Sequence, residues 1–275
     1  MKKILKAEHV TYLFLITLIV VTVIPFLMMV LGSFKQDYEI LSMNPKLLPR
    51  EGFMLREYNQ LFDYWPFWRN MLNSTIVTTI TTVGASFFCA LAGITFAKYR
   101  FPGKEGLFLV ALASMMIPFE SIVVPTYILI RTLGGLNTYW ALIVPKLIPP
   151  FGIFLMRQYA YSGIPDSMLE AARIEGAGEW RIMTGISFPI MKPAMISLAI
   201  LTFMNSWNDF FGPLILTTKS KMFTVSVALK SLADPGQPDL GIVLAAATLS
   251  VIPIFIMYAA FNKQMLQSML EGSGK

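Results

Sequence analysis

Long apolar runs separated by short polar segments make up most of the chain. An α-helix rises about 1.5 Å per residue, so roughly 20 apolar residues cross a bilayer core of about 30 Å. Six runs are long enough and carry at most one charged residue each: 11–31, 70–97, 106–130, 138–156, 193–216 and 240–261. The pattern predicts an all-α integral membrane protein with about six transmembrane helices, in a single domain spanning 1–275.

Prolines lie inside five of these six runs. In a bundle, neighbouring helices and ordered waters can satisfy the carbonyl groups that a proline leaves without a partner, so kinked spans are predicted. Kinks suit a protein that encloses a pathway, but they also occur in inert bundles. The polar segments 33–68 and 217–239 are predicted to be loops.

The composition indicates that bilayer lipid is the main solvent of the chain. Hydrophobic residues make up 55% of the sequence and charged residues 14%, whereas a soluble domain has about a quarter charged residues. The net charge of +6 is scattered between apolar runs, which argues against a nucleic-acid partner. With one cysteine, Cys89, and one histidine, His9, neither an intrachain disulfide nor a His-based triad or zinc site is expected. No catalytic, metal-binding or cofactor-binding residue is predicted.

Basic residues favour the cytoplasmic ends of membrane spans. They are most compactly placed between the second and third runs, at Lys98, Arg100 and Lys104. The first run, 11–31, is too long for the apolar core of a signal peptide and has no small-residue cleavage site after it, so we interpret it as a retained helix. This arrangement predicts a multi-pass protein with both termini cytoplasmic.

The segment between the fourth and fifth runs, 157–192, has the signals of a helix start near its middle. Ser167 and Glu170 have the spacing of a capping box, directly after Pro165 and Asp166, two residues that suit the beginning of a helix. Good helix formers then continue as far as Glu175.

A glycine follows this predicted helix. Gly176 can end it in the left-handed conformation that other residues avoid, and a second short helix is predicted from 179 to about 186, stopped ahead of Pro189. The result is a helix–glycine–helix elbow on the cytoplasmic side. Ala171 and Ala172 leave room for another surface to approach. The residues alone are equally compatible with an ordinary amphipathic helix at the membrane surface.

The sequence EAARIEGA at 170–177, followed by Ile186 and by Pro189, resembles the EAA loop of permease subunits in bacterial ABC importers. Two departures from the family pattern are conservative: Glu175 stands where aspartate is usual and Phe188 where leucine is usual. The resemblance implies that the elbow couples the permease to a separate ATPase. The coupling residues it implies are Glu170, Ala171, Ala172, Glu175, Gly176, Ala177, Ile186 and Pro189.

Other segments are similar to the carbohydrate branch of this family, of which maltose-type permeases are members. They are 73–74, 98–104, 133–139, 206–209 and the shortened glycine-rich tail 272–275. The resemblance implies a bacterial inner-membrane importer for a sugar or oligosaccharide, without catalytic activity in this chain. The implied partners are a second permease subunit of a different sequence, two cytoplasmic ATPase subunits that bind ATP and Mg, and an extracytoplasmic solute-binding protein.

Polar residues within the apolar runs are candidates for a solute path or gate. Intramembrane polar groups are costly and usually face a bundle interior or a cavity, and aromatic rings beside hydrogen-bonding side chains suit sugars. The same residues could instead hold helices together. The candidates are Glu120, Asn205, Trp207, Asn208 and Asp209.

Three other functions are weighed against an ATP-driven importer, of which a purely structural membrane subunit is disfavoured by the elbow motif. An ion-coupled secondary transporter would need intramembrane carboxylate relays, for which only Glu120 and Asp209 are available. A membrane-embedded serine protease would need a nucleophile and a base within the membrane, yet the one histidine is at position 9. The chain also lacks a phosphate-binding loop of its own, so energy from ATP has to reach it through a partner.

Overall fold

The computed structural model describes residues 2–44, 46–234 and 240–273, with side chains described for 11–44, 46–234 and 240–262. Regular structure in these ranges is entirely helical. Residues 235–239 of the second predicted loop, and 274–275 of the glycine-rich tail, lie outside them. The α-helices are α1 (Lys2–Gly32), α2 (Asp37–Ile40), α3 (Arg56–Tyr64), α4 (Phe67–Lys98), α5 (Lys104–Ser114), α6 (Phe119–Thr132), α7 (Tyr139–Ile143), α8 (Pro150–Gly163), α9 (Asp166–Ile174), α10 (Glu179–Ile182), α11 (Phe188–Trp207), α12 (Phe211–Leu216), α13 (Val225–Leu232) and α14 (Leu240–Ser273).

Three short segments have other helical pitches. Val144–Lys146 and Ser220–Met222 are 3₁₀-helices, and Met183–Ser187 is a π-helix. The π-helix lies between α10 and α11, so that the chain stays helical from Glu179 to Trp207.

Four helical segments are long and apolar enough to cross a membrane: Thr11–Gly32, Phe67–Lys98, Glu179–Trp207 and Leu240–Asn262. Two bent helix pairs raise the number to six if each pair forms one span. The prediction of an all-α membrane protein with about six spans is therefore confirmed.

Prolines divide the third and fourth predicted runs. The run 106–130 consists of α5 and α6, which are bent by 102°, and Pro118 holds the break in an extended conformation (φ −66°, ψ 143°). In the run 138–156, Pro149 is extended in the same way, and Pro150 then begins α8 after a bend of 42°. Steric contact disfavours the helical conformation in the residue before a proline, which favours a break at Ile117, before Pro118, and at Pro149, before Pro150.

The fifth run differs from its predicted bounds, 193–216, at both ends. Helical structure begins upstream at Glu179 and stops at Trp207, after which α12 starts separately at Phe211. The upstream extension includes Pro189, and Pro193 lies inside α11, so neither proline ends this helical segment. The predicted loops 33–68 and 217–239 also contain short helices, namely α2, α3 and α13.

The chain divides into two compact units, of which the first contains residues 1–68 and 228–253. Within it, Asp37 accepts a hydrogen bond from the Gly241 amide (3.0 Å) at the start of α14. Side chains of α1 from Tyr12 to Leu27 are exposed and almost all apolar, which is the pattern of a helix surrounded by lipid or by another membrane helix.

The second unit contains residues 69–227 and 254–275. Its main apolar cluster joins side chains from α4, α5, α8, α9, α10 and α11. Two glycines let α4 and α8 approach closely. A Cβ atom on Gly93 would lie 2.6 Å from the backbone carbonyl carbon of Met156, and one on Gly152 would lie 2.6 Å from Cys89 Sγ. Small residues at such crossings permit the van der Waals packing that stabilises membrane helix pairs.

The close crossing at Gly93 leads to a test of the packing. We expect Gly93→Ala to lower the free energy of unfolding by about 1–3 kcal/mol, because the backbone of α8 has to move away from the added methyl group. Gly106→Ala is the matched control, since a Cβ there meets no atom within 4 Å and alanine favours the helix by up to about 1 kcal/mol. Thermal unfolding of the purified variants in detergent measures both changes. Equal stability of the two variants would contradict the close crossing.

Candidate functional site

The first arm of the elbow is α9, and its end has the geometry of a Schellman motif. Gly176 lies in the left-handed region (φ 81°), its amide donates to the Arg173 carbonyl (3.0 Å), and the Ala177 amide donates to the Ala172 carbonyl (3.0 Å). These bonds satisfy carbonyl groups that the last turn of a helix leaves without a partner. The chain therefore turns sharply and with a defined geometry after α9.

The second arm begins at Gly178, which is extended (φ −69°, ψ 153°), and continues through α10 into the π-helix and α11. The predicted stop ahead of Pro189 does not occur. Because proline has no N–H, the α-helical hydrogen-bond ladder is interrupted there, and the wider π turn at Met183–Ser187 precedes it without ending the helix. The second arm and the span α11 are consequently one continuous helical segment.

The predicted coupling residues divide into an exposed group and a packed group. Ala172 belongs to the main apolar cluster together with Leu169, while Ala177 and Ile186 pack against that cluster. Of the two alanines, only Ala171 is accessible to another surface. The exposed group is Glu170, Ala171, Glu175, Gly176 and Pro189.

The elbow also exposes apolar side chains that sequence reasoning missed. Ile174 is 87% exposed and Trp180 is 61% exposed, and Met168 is exposed too. They lie off the face that carries the buried Leu169 and Ala172. The sequence did contain a signal for them, because an apolar residue that lies off the apolar face of an amphipathic helix is expected to be exposed. We define the elbow face as Met168, Glu170, Ala171, Ile174, Glu175 and Trp180.

A polar brace fixes the angle between the two arms. Arg173 donates two hydrogen bonds to the Glu179 carboxylate, from Nε (2.8 Å) and from Nη2 (3.3 Å). Tyr99, in the turn after α4, donates its hydroxyl to the same carboxylate. Burial raises the pKa of Tyr99 to about 12, and the hydrogen bond to Glu179 adds to the rise. Tyr99 therefore stays protonated and remains a donor throughout the physiological pH range.

A cleft opens beside the first arm. It has a volume of about 1000 Å³, including space open to solvent, and Glu170 lies on its wall. The lining is mainly basic, with two acidic residues on the side of α9. The charged residues that line it are Lys98, Arg100, Lys104, Asp166, Glu170 and Arg173.

The second candidate site, the solute path, lies at the end of α11. Trp207 is buried, and its ring stacks on Phe203 (centroids 5.9 Å apart, planes 3° apart), so this indole offers no open face. Asn205 and Asn208 are exposed, although the Asn208 amide donates to the Met204 carbonyl one turn earlier (2.9 Å). The exposed asparagines remain the polar groups available to a ligand or to another subunit.

Asp209 forms an ion pair with Lys146 and also accepts a hydrogen bond from the Gly212 amide (3.2 Å). Both side chains are largely shielded, with 28% of Lys146 and 20% of Asp209 exposed. The pair joins the break between α11 and α12 to the 3₁₀ turn before α8. Its position at two backbone breaks indicates a structural role for Asp209.

Glu120 is exposed in the first turn of α6, directly after the 102° bend. The neighbouring Phe119 makes an edge-to-face contact with Phe211 (6.4 Å between centroids), at the start of α12. Contact between these two helix starts places Glu120 on the same side of the unit as the break at Asn208–Phe210.

Comparison with known proteins adds an independent result. Residues 89–271 match the model of a family described as "Binding-protein-dependent transport system inner membrane component". The chain is 32% identical to the arabinooligosaccharides transport system permease protein of Halalkalibacterium halodurans, covering 93% of this chain and 92% of that protein. It is 28% identical to the diacetylchitobiose uptake system permease protein of Streptomyces coelicolor, over 96% of this chain and 88% of that one.

Solved structures give the same fold. The chain superposes on one from a bacterial ABC transporter involved in the import of the acidic polysaccharide alginate, with a TM-score of 0.83 and 21% identity. The match covers 93% of this chain and 95% of the other.

The left-handed glycine of the elbow can be tested directly. We expect Gly176→Ala to destabilise the end of α9 by about 1 kcal/mol, because a Cβ disfavours the left-handed conformation. Amide hydrogen exchange in segment 166–182 should then accelerate roughly fivefold. Gly178→Ala is the matched control: its φ is negative and its surroundings are equally open. Similar exchange in both variants would contradict the assigned geometry.

The ion pair at the helix breaks gives a second prediction. Lys146→Met leaves the Asp209 carboxylate without its cation. We expect the free energy of unfolding to fall by about 2 kcal/mol, a value between those typical of exposed and of buried ion pairs. The double variant Lys146→Met/Asp209→Asn should recover at least about half of that loss, because asparagine needs no counter-ion and keeps an acceptor for Gly212. Thermal unfolding in detergent provides the comparison. Unchanged stability of the single variant would refute the structural role.

Proposed function

Because the chain belongs to the family of inner-membrane components of binding-protein-dependent transport systems, we propose that it is the permease subunit of an ATP-driven importer for a sugar or oligosaccharide. Two of the matched relatives are named as permease proteins of arabinooligosaccharide and diacetylchitobiose systems, and the superposed structure is of a transporter involved in the import of alginate. All three solutes are glycans. Their shared chemistry supports a carbohydrate as the solute of this chain.

The elbow face is the observation on which this proposal mainly rests. A helix end with defined geometry displays exposed Ile174 and Trp180 beside Glu170 and Glu175, while its other side is packed into the unit that contains α8 and α11. An exposed aromatic and aliphatic pair beside charged groups is typical of a protein-binding surface. A partner that grips this face can move both attached spans.

The partner we propose is a cytoplasmic ATPase subunit, present in two copies in the importer. The basic cleft beside Glu170 offers a second point of contact for it. ATP and Mg are bound by that partner and not by this chain, and hydrolysis drives the spans between inward-open and outward-open arrangements. This chain contributes no catalytic residue. In this proposal the elbow is cytoplasmic because the ATPase is, and both termini are cytoplasmic as well.

A second permease subunit completes the translocation path. Asn205 and Asn208 are exposed in a membrane segment, and so is Glu120 after the bend at Pro118. Lipid-exposed polar side chains and irregular backbone are unfavourable inside a bilayer, which supports contact with another subunit or with a water-filled path at this side. By the maltose-type resemblance the second subunit is a different chain. An extracytoplasmic solute-binding protein delivers the sugar.

The coupling role of the elbow predicts the effect of a charge reversal. Glu170→Lys should reduce the amount of ATPase subunit that co-purifies with the permease by about tenfold or more, because the partner's surface has to complement an exposed carboxylate and would meet a cation instead. ATP-dependent uptake should fall in proportion, with an unchanged amount of permease in the membrane. Gln158→Lys, which adds a charge to an exposed position on α8, serves as the control. Normal co-purification and uptake with Glu170→Lys would rule out this docking role.

A further inference from the structure

The helix α4 contacts the elbow at one end and a distant loop at the other, and we propose that it transmits motion between these two places. It is adjacent in sequence to neither. The inference rests on the proposed function, since it takes the elbow as the part that the ATPase moves and the loop as part of the side where solute arrives. With 32 residues at about 1.5 Å each, α4 is about 48 Å long and exceeds the thickness of a bilayer core.

Two consecutive residues at the C-terminal end of α4 hold the elbow. Lys98 Nζ lies 2.9 Å from Asp166 Oδ1, in the first turn of α9, and only 6% of the lysine side chain is exposed. The next residue, Tyr99, donates its hydroxyl to Glu179, just beyond the glycine turn. The start and the corner of the elbow are therefore both attached to the end of α4.

The turn that carries these residues is itself held in place. Lys104, the first residue of α5, donates to the carbonyl of Tyr99 (3.1 Å) and to that of Ala97 (3.5 Å). A cation at these carbonyls is favourable because the C-terminal end of a helix has a partial negative charge. Because this turn is held in place, a displacement of the elbow acts through Lys98 and Tyr99 on the end of α4.

The N-terminal end of α4 holds the loop that follows α12. Asn70 donates to the carbonyls of Ser220 (2.7 Å) and Phe223 (3.0 Å). One turn later, Asn73 donates to the carbonyls of Lys221 (3.0 Å) and Phe223 (3.0 Å). Both asparagines are fully buried, so these bonds replace the water that the loop carbonyls would otherwise need.

A third contact fixes the end of the same loop. Ser74 Oγ accepts a hydrogen bond from the Val225 amide (2.8 Å), where α13 begins. Asn73 Oδ1 in turn accepts from the Tyr139 hydroxyl (2.7 Å), which sets the orientation of the amide group. The loop backbone from Ser220 to Val225 is therefore attached to the first turns of α4.

Between its two ends α4 lacks the features that usually kink a helix. Among the membrane segments of the described residues, it alone has neither a proline within the helix nor a break. Kinks in long helices almost always occur at prolines or at interruptions of the ladder. Its glycines Gly84 and Gly93 are packed against Leu147 and Met156, which leaves little room for bending there.

The test measures how strongly the solute-loaded binding protein stimulates ATP hydrolysis by the complete importer in lipid nanodiscs. Tyr99→Phe removes one hydroxyl at the elbow end, and Asn73→Ala removes the amide at the loop end. Each variant should lower the stimulation ratio by about threefold or more. Both changes interrupt the same connection. The stimulation ratio of the double variant should therefore be no lower than that of the more affected single variant.

Matched controls lie at both ends of α4. Thr75 and Thr95 donate their hydroxyl groups only within the helix, to Met71 (2.9 Å) and Leu91 (2.8 Å), so Thr75→Ala and Thr95→Ala should keep the parent ratio. Unfolding temperatures of all variants separate loss of coupling from loss of stability.

Three results would overturn the inference. The first is a parental stimulation ratio in both single variants, and the second is a double variant whose loss equals the product of the single losses, since independent effects multiply. The third is a threonine control that lowers the ratio as much as the test variants. An unmodified importer that contains no ATPase subunit, or that hydrolyses no ATP, would overturn the proposed function as well.

Discussion

The close packing of α4 against α8 is the contact on which the candidate site depends. Gly93 on α4 lets the two backbones approach near Met156, and about one turn away Gly152 on α8 leaves room for Cys89. In a bilayer the solvent is as apolar as the side chains, so helices associate through such contacts and through polar bonds, and hydrophobic burial contributes little. The elbow then packs against the platform that α4, α5, α8 and α11 form. Without a rigid platform, a force applied to the elbow would deform it locally.

Prolines lie at two of the three places where the other spans are broken, and polar side chains stabilise the breaks. The α5–α6 corner, the bend before α8 and the interruption after Trp207 each leave backbone groups without helical partners. Lys146 and Asp209 join two of these breaks, which explains why a charged pair is retained in an apolar region.

The two faces of the elbow have different physical roles. Leu169 and Ala172 attach it to the unit that contains the spans, whereas Ile174 and Trp180 are exposed. The Arg173–Glu179 pair is partly exposed, so its contribution to the free energy of unfolding is small. Its main role is to fix the angle between the arms. This division suits a lever, which needs a fixed shape and an accessible end.

The sequence alone determined the class of the protein, the approximate number of spans and the place of the elbow. Uncharged runs of about 20 residues have few other uses, and the signals at Pro165 and Gly176 are local, so they can be read without neighbours. The capping box predicted for Ser167 and Glu170 does not form, because α9 already begins at Asp166 and Ser167 lies inside it. The sequence did not determine which of the two alanines of the elbow is buried. Ala171 and Ala172 are the same residue type and differ only in what packs against them. The bends also depend on surroundings, since Pro118 breaks a span while Pro25 and Pro253 lie within helices. Contacts such as Lys98–Asp166 and Asn73–Phe223 join residues far apart in the chain, and only the tertiary structure brings them together.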